Sequence, residues 1–157
     1  MDSMSCNGIR AGIVYASITG NTRELAEIIA EGFRNQQIEP FFCHAGSFRE
    51  SRLKELDLLA IVTYTWGNGE IPAEMKPVYE GIASSAPKQL ITGAAGSGDS
   101  FYPAYCGAVD KFRDMLFAHT QLAVTLKVEL MPQESDRERC QKFTDILVNR
   151  CLASAAT

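Results

Sequence analysis

The sequence predicts an α/β fold: a doubly wound five-stranded parallel sheet with strand order 2-1-3-4-5. Three observations lead there. Strand-like and helix-like segments alternate along the chain as βαβαβαβαβα, which calls for a parallel sheet with helices on both faces. The second strand-like run, residues 38–43, contains Pro40, which lacks an N–H and belongs on a sheet edge. The fifth, residues 122–130, sets Leu122, Val124, Leu126, Val128 and Leu130 against Ala123, Thr125, Lys127 and Glu129, the alternation of a half-exposed strand. Of the two common doubly wound orders, 3-2-1-4-5 and 2-1-3-4-5, only the second makes strands 2 and 5 the edges.

Each element has its own signal. Residues 12–16, GIVYA, form a short apolar strand, after which Leu25, Ile28, Ile29 and Phe33 recur on one helix face. Residues 58–64, LLAIVTY, are apolar enough for a strand buried on both faces. Met75, Val78, Tyr79 and Ile82 mark a helix, residues 89–95 the fourth strand, and Val109, Phe112 and Leu116 the helix after it. The tetrad SDRE, residues 135–138, reads as a capping box opening a last helix whose Cys140, Phe143, Leu147 and Cys151 share a face. The whole reads as one domain over 9–153, with a disordered lead-in over 1–8 and a tail over 154–157.

Composition narrows the function. The chain has 157 residues, 46% hydrophobic and 22% charged, with a net charge of −4. That balance predicts a soluble globular protein. No basic face for nucleic acid is visible, no apolar run approaches a membrane span, and the opening MDSMSCNGIR is no secretory signal. Five cysteines without a CxxC pair suit a reducing compartment, so the expected location is the cytoplasm. Two histidines without paired spacing give a metal little to bind.

Ligands of such sheets bind at the carboxyl ends of the strands, beside the switch point between strands 1 and 3. Three unusual loops should meet there: SITGNT (17–22), TWGNGEIP (65–72) and GSGDSFYPAYCG (96–107). In the first, the helix N-terminus offers free N–H groups and a positive dipole end. Ser17, Thr19, Asn21 and Thr22 add donors, and Gly20 allows a tight turn. An ordinary capped turn fits that loop equally well. It lacks GxxxxGK[ST] and GxGxxG, so a monophosphate suits it better than a triphosphate or a dinucleotide. The second loop carries the sole tryptophan, Trp66, and the third supplies Tyr102 and Tyr105 opposite it. Two aromatics flanking a slot suit a flat ring, since offset stacking adds roughly 0.5–1.5 kcal/mol per pair. A flat ring on one phosphate describes a flavin mononucleotide.

The segments ASITGNT, TYTWGNG and GSGDSFYPAYCGAVDKF, in this order, resemble the three FMN loops of the flavodoxins. The fifth strand has no long insertion, so the resemblance is to the short-chain bacterial group. It implies that Ser17, Ile18, Thr19, Gly20, Asn21 and Thr22 surround the FMN phosphate, and that Tyr64 and Thr65 border the ribityl chain and phosphate. It places Trp66 on the inner face of the isoalloxazine and Tyr102 on the outer face. Gly67, Asn68 and Gly69 form the turn beside flavin N5. Ser97, Gly98, Asp99, Tyr105 and Cys106 lie along the ring's third loop, with Asp99 and Cys106 at the pyrimidine edge. A Gly67 carbonyl turned toward a protonated N5 would stabilise the neutral semiquinone; a hydrogen bond of about 1–1.5 kcal/mol moves a one-electron potential by roughly 40–60 mV.

The implied function is low-potential one-electron transfer on the semiquinone/hydroquinone couple, by a monomer. Its partners would be an NAD(P)H-dependent flavodoxin reductase and acceptor redox proteins. The modest net charge and Asn68, where an aspartate is common in the family, depart from the pattern and weaken the steering expected toward basic partners. Two enzyme readings compete: an FMN-dependent NAD(P)H:quinone-type reductase, and a phosphatase using Cys43 and Arg49 of CHAGSFR in a C-x5-R loop. Glu50, following Arg49, argues against the second, because its charge would repel a phosphate substrate.

Overall fold

The computed structural model describes residues 8–156. Its strands are β1 (Ala11–Tyr15), β2 (Phe41–His44), β3 (Leu58–Thr63), β4 (Ile91–Gly98) and β5 (Gln121–Glu129). All neighbouring pairs are parallel and the order is β2-β1-β3-β4-β5, with β2 and β5 at the edges as expected from the sequence. The helices are α1 (Asn21–Arg34), α2 (Lys76–Ser85), α3 (Gly107–His119) and α4 (Glu134–Ala156).

Strand alternation sends successive side chains to two separate cores. On one face of the sheet, Ile13 and Tyr15 of β1 and Ala60 and Val62 of β3 meet Leu25, Ile29 and Phe33 of α1 and Phe143 and Leu147 of α4. On the other, Val14, Leu59 and Ile61 meet Val78 and Ile82 of α2, and Val109, Phe112 and Leu116 of α3. Every residue of β1 and β3 is buried, which is why their sequences are continuously apolar.

The structure differs from the sequence reading in several places. The crossover between β2 and β3 holds two 3-10 segments, Ala45–Ser47 and Glu50–Glu55, in place of an α-helix. The longer one buries only Leu53, too little apolar surface to dock a full helix. Residues 38–40 precede β2 instead of opening it, and β4 runs three residues further than the apolar run, to Gly98.

The alternation in β5 is broken by a register shift opposite Thr92 and Gly93: Thr92 pairs with Leu122 but Gly93 with Val124. The extra residue moves Leu122 to the α2/α3 side, whereas Val124, Leu126 and Val128 face the α1/α4 side.

Helix α4 begins at Glu134, before the expected box. The Asp136 carboxylate accepts the Gln133 N–H at 2.8 Å, so Asp136 does the capping and Ser135 lies inside the first turn. At the other end α4 continues through residues 154–156, where a tail is expected, because ASAA contains no helix-stopping Gly or Pro. The lead-in over 1–8, Gly8 apart, and Thr157 fall outside the described residues.

Candidate functional site

Strands β1, β3 and β4 are adjacent, so the three loops leaving their carboxyl ends are neighbours. The first is built around a turn in which Ser17 Oγ accepts the Gly20 N–H at 3.1 Å. Gly20 sits at φ 99°, a left-handed conformation that suits glycine, and occupies the N-cap of α1. No side chain caps α1. Its first-turn N–H groups, which no helix satisfies internally, are therefore left for an anion, at the positive end of the dipole. Thr19 and Gly20 are exposed, as is Ile18, whereas Thr22 is buried. The Thr22 and Ser97 hydroxyls share a hydrogen bond of 2.7 Å, tying the start of α1 to the end of β4.

The second loop folds back on itself. Trp66 and Glu70 exchange backbone hydrogen bonds of 2.8 and 2.7 Å, and Gly67 (φ 54°) and Gly69 (φ 92°) supply the left-handed residues this turn needs. Trp66, Gly67 and Asn68 are exposed; the indole is 57% accessible. Gly69 is buried against the third loop, where a Cβ on it would come within 2.8 Å of the Ala104 Cβ. The Thr65 hydroxyl accepts the Ala108 N–H at 3.1 Å, which caps the first turn of α3.

The third loop is held by Asp99, whose carboxylate accepts the Phe101 N–H at 2.9 Å, and by hydrogen bonds from Ser100 to Glu129. Tyr102 is 66% accessible. Cys106 stands at the N-cap of α3 in a left-handed conformation (φ 53°), uncommon for a side chain with a Cβ. It is buried, its Sγ lies 3.8 Å from the Gly96 carbonyl, and burial pushes its thiol up to about 11. Tyr105 is pushed up to about 12, chiefly by burial and next by Cys106. Neither is a nucleophile at neutral pH.

Between the second and third loops lies a cavity of about 400 Å³, lined by Thr65, Gly67, Gly98, Asp99, Tyr102, Ala104, Tyr105 and Cys106. Seven of the sequence-predicted residues are among them. Trp66 stands outside the lining with its ring in solvent, and Asn68 and Gly69 belong to the same turn. The first loop lines none of it and is tied to the neighbouring β4 residue, Ser97, through the Thr22 hydroxyl.

Tyr64 is placed differently from the expectation: its phenol donates to the Glu74 carboxylate at 2.6 Å and packs on the α2/α3 side. Ala104 and Glu74 escaped the sequence reading. The approach of Gly69 to Ala104, and the bond across ten residues between Tyr64 and Glu74, arise from loop closure and leave no local signal.

The C-x5-R reading is overturned. Cys43 is buried in β2 with its thiol raised by burial, and Arg49 lines a separate shallow hollow with Phe41, Ser47, Ser51, Arg52 and Glu55. The intervening residues form a 3-10 segment, and no phosphate cradle joins the two. Among the described residues no group of three or more potential metal ligands occurs, and no helix is long and apolar enough to cross a membrane.

The family model described as Flavodoxin matches residues 13–143. A curated relative, "Probable flavodoxin 1" of Bacillus subtilis, is 36% identical over 138 residues, covering 85% of this chain and 87% of its own. A flavodoxin from Streptococcus pneumoniae TIGR4 superposes with a TM-score of 0.84 at 36% identity, covering 89% of this chain and 98% of its own. A short-chain flavodoxin associated with a non-canonical PDU bacterial microcompartment gives 0.86 at 31% identity, covering 91% and 99%.

The residues present fit FMN. An uncapped helix start with flanking hydroxyls suits a monophosphate, and the cavity between the second and third loops is of small-ligand size, with the exposed Tyr102 in its lining and the exposed Trp66 next to Gly67 of the lining. The chain belongs to the flavodoxin family, and FMN is its cofactor.

Proposed function

We propose that the protein is a low-potential one-electron carrier, working as a cytoplasmic monomer between an NAD(P)H-dependent reductase and acceptor redox proteins. The observation that carries this reading is that the uncapped start of α1, the exposed Trp66 and the cavity lined by Tyr102 all lie on the three loops leaving the carboxyl ends of the adjacent strands β1, β3 and β4. When bound, FMN supplies the one-electron chemistry of its semiquinone/hydroquinone couple; the chain's part is to hold the phosphate, sandwich the ring and bias N5.

Ser17, Thr19, Asn21 and Thr22 with the α1 N–H groups hold the phosphate, and Trp66 and Tyr102 cover the ring faces. The Gly67–Asn68 peptide is free to re-aim its carbonyl, because both residues are exposed and a Cβ on Gly67 would meet nothing within 4 Å. The Glu70 and Asp99 carboxylates beside the ring oppose a further negative charge on it, which lowers the potential of the second electron. The same exposed edge gives a partner direct approach to the ring.

Stepwise anaerobic reduction of the FMN-loaded protein, followed by its visible spectrum, tests the reading. A yellow protein passing through a blue neutral semiquinone is the expected result. Direct reduction by NAD(P)H with no separate reductase, without a blue stage, would replace the carrier by a two-electron enzyme.

A further inference from the structure

The loop that presents Trp66 and Gly67 is bounded by Tyr64, its last residue on the strand side, and by Glu74 just past Pro72. These two residues are bonded to each other: the Tyr64 hydroxyl donates to one Glu74 carboxylate oxygen at 2.6 Å. The other carboxylate oxygen lies 3.2 Å from His44 Nε2, at the carboxyl end of β2. His44 Nδ1 accepts the Gly46 N–H at 2.9 Å, so the proton of a neutral imidazole sits on Nε2 and is aimed at Glu74. Next to Glu74, Met75 is fully buried and fixes the far end of the loop in the α2/α3 core. Three side chains from β2, the end of β3 and the turn before α2 thus close the base of the loop.

We propose that Glu74, with Tyr64 and His44, is a positioning clamp for the ring-binding loop. Its role is to hold Trp66 and the Gly67–Asn68 peptide in a narrow range of positions before FMN arrives. The physical reason lies in where the loop's own bonds are. The Trp66–Glu70 pairing stiffens the tip, but it does not fix the tip relative to the sheet. The Tyr64–Glu74 bond does that, because it joins the two stems directly. A charged acceptor makes this the stronger kind of hydrogen bond, and the half-buried phenol cannot exchange it freely for water. Burial first, and then the neighbouring Glu74 carboxylate, hold the Tyr64 phenol above its ordinary range, so it stays protonated, as a donor must, well past neutral pH. Preorganisation of this sort strengthens binding by removing an ordering cost, without any contact between Glu74 and the cofactor.

The proposal rests on the FMN reading for its consequence but not for its test. Trp66 is the only tryptophan in the chain, so its time-resolved anisotropy reports the motion of this loop in the full chain, with or without FMN. Tyr64→Phe and Glu74→Ala should both lower the residual anisotropy of Trp66 while leaving the far-ultraviolet circular dichroism unchanged. They should also weaken FMN binding about fivefold to tenfold, the effect of losing about one hydrogen bond. Glu74→Gln keeps an acceptor for the phenol and should recover most of both signals, whereas Tyr64→Phe keeps the ring's packing and loses only the hydroxyl, so its loss of both signals separates the hydrogen bond from a merely space-filling role. Should Glu74→Ala fail to fold, Tyr64→Phe carries the test, since it removes a single oxygen atom. Unchanged Trp66 anisotropy in Tyr64→Phe overturns the clamp whatever FMN does. A wild-type chain that ignores FMN overturns the functional reading alone and leaves the anisotropy comparison standing.

Discussion

The two ends of the sheet make an instructive pair. A hollow of about 780 Å³ lies at the amino end, between Ile9, Arg10, Leu56, Leu90, Ile91 and Leu152. At the carboxyl end the cavity between the second and third loops is about half that size, and an open hollow beside Lys127, Glu129 and Leu130 is about 640 Å³. Yet among the described residues the carboxyl end holds nearly all of the unusual backbone: Gly20, Gly67, Gly69, Cys106 and Leu130 lie there at positive φ, against Gln37 alone at the other end. It also holds the exposed Trp66, Phe101 and Tyr102. At the amino end the polar groups are already satisfied, with Arg10 and Asp57 paired at 3.1 Å and the Cys151 thiol directed at the Asp57 carbonyl. Volume is therefore a poor guide to function in this protein. Strained turns, an uncapped helix and aromatic rings left in solvent mark the working end.

If the amino end is structural only, Leu90→Ala should lower folding stability by about 2–5 kcal/mol, as expected for a buried leucine, and leave FMN affinity unchanged. Urea unfolding and flavin-fluorescence titration read the two quantities separately; a parallel loss of FMN affinity would erase the contrast between the ends. The converse variant is Trp66→Ala. It should cost about 2 kcal/mol of FMN binding, some thirtyfold in Kd, with little change in the unfolding midpoint, because the indole is largely exposed without cofactor.

Gly67→Ala sharpens the contrast within the working end. Space is open around the new methyl, so the cost is the left-handed backbone alone, about 1 kcal/mol, appearing in both stability and FMN affinity. The last effect is one the two ends share. Burial raises the thiols of Cys106 and Cys140 to about 11 and that of Cys151 to about 12. The folded chain then keeps protons that an unfolded thiol releases near pH 9, so this contribution is complete below about pH 9 and declines as pH rises toward 11–12. Urea midpoints compared at about pH 8 and about pH 10 should show the decline; an unchanged midpoint would mean that the thiols ionise as readily folded as unfolded.

The sequence by itself determined the sheet, its order and the loops that matter. Buried strands must be continuously apolar, Pro40 cannot enter a central ladder, and helix faces repeat at a helical period. These rules act over a few residues, so they can be read directly along the chain. The same holds for SITGNT, whose turn, closed by the Ser17 hydroxyl on the Gly20 N–H with Gly20 left-handed, needs only residues adjacent in sequence.

The tertiary structure decided what depends on partners distant in sequence. It replaced the second crossover helix by 3-10 segments because Glu50–Glu55 has only Leu53 to bury. It slipped β5 by one residue opposite Thr92, which no alternation pattern records. It paired Thr22 with Ser97, across 75 residues, and the Tyr64 hydroxyl with Glu74. Hydrogen-bond geometry is set by where two separately folded segments come to rest, and a one-dimensional pattern carries the donors and acceptors without the distances that join them.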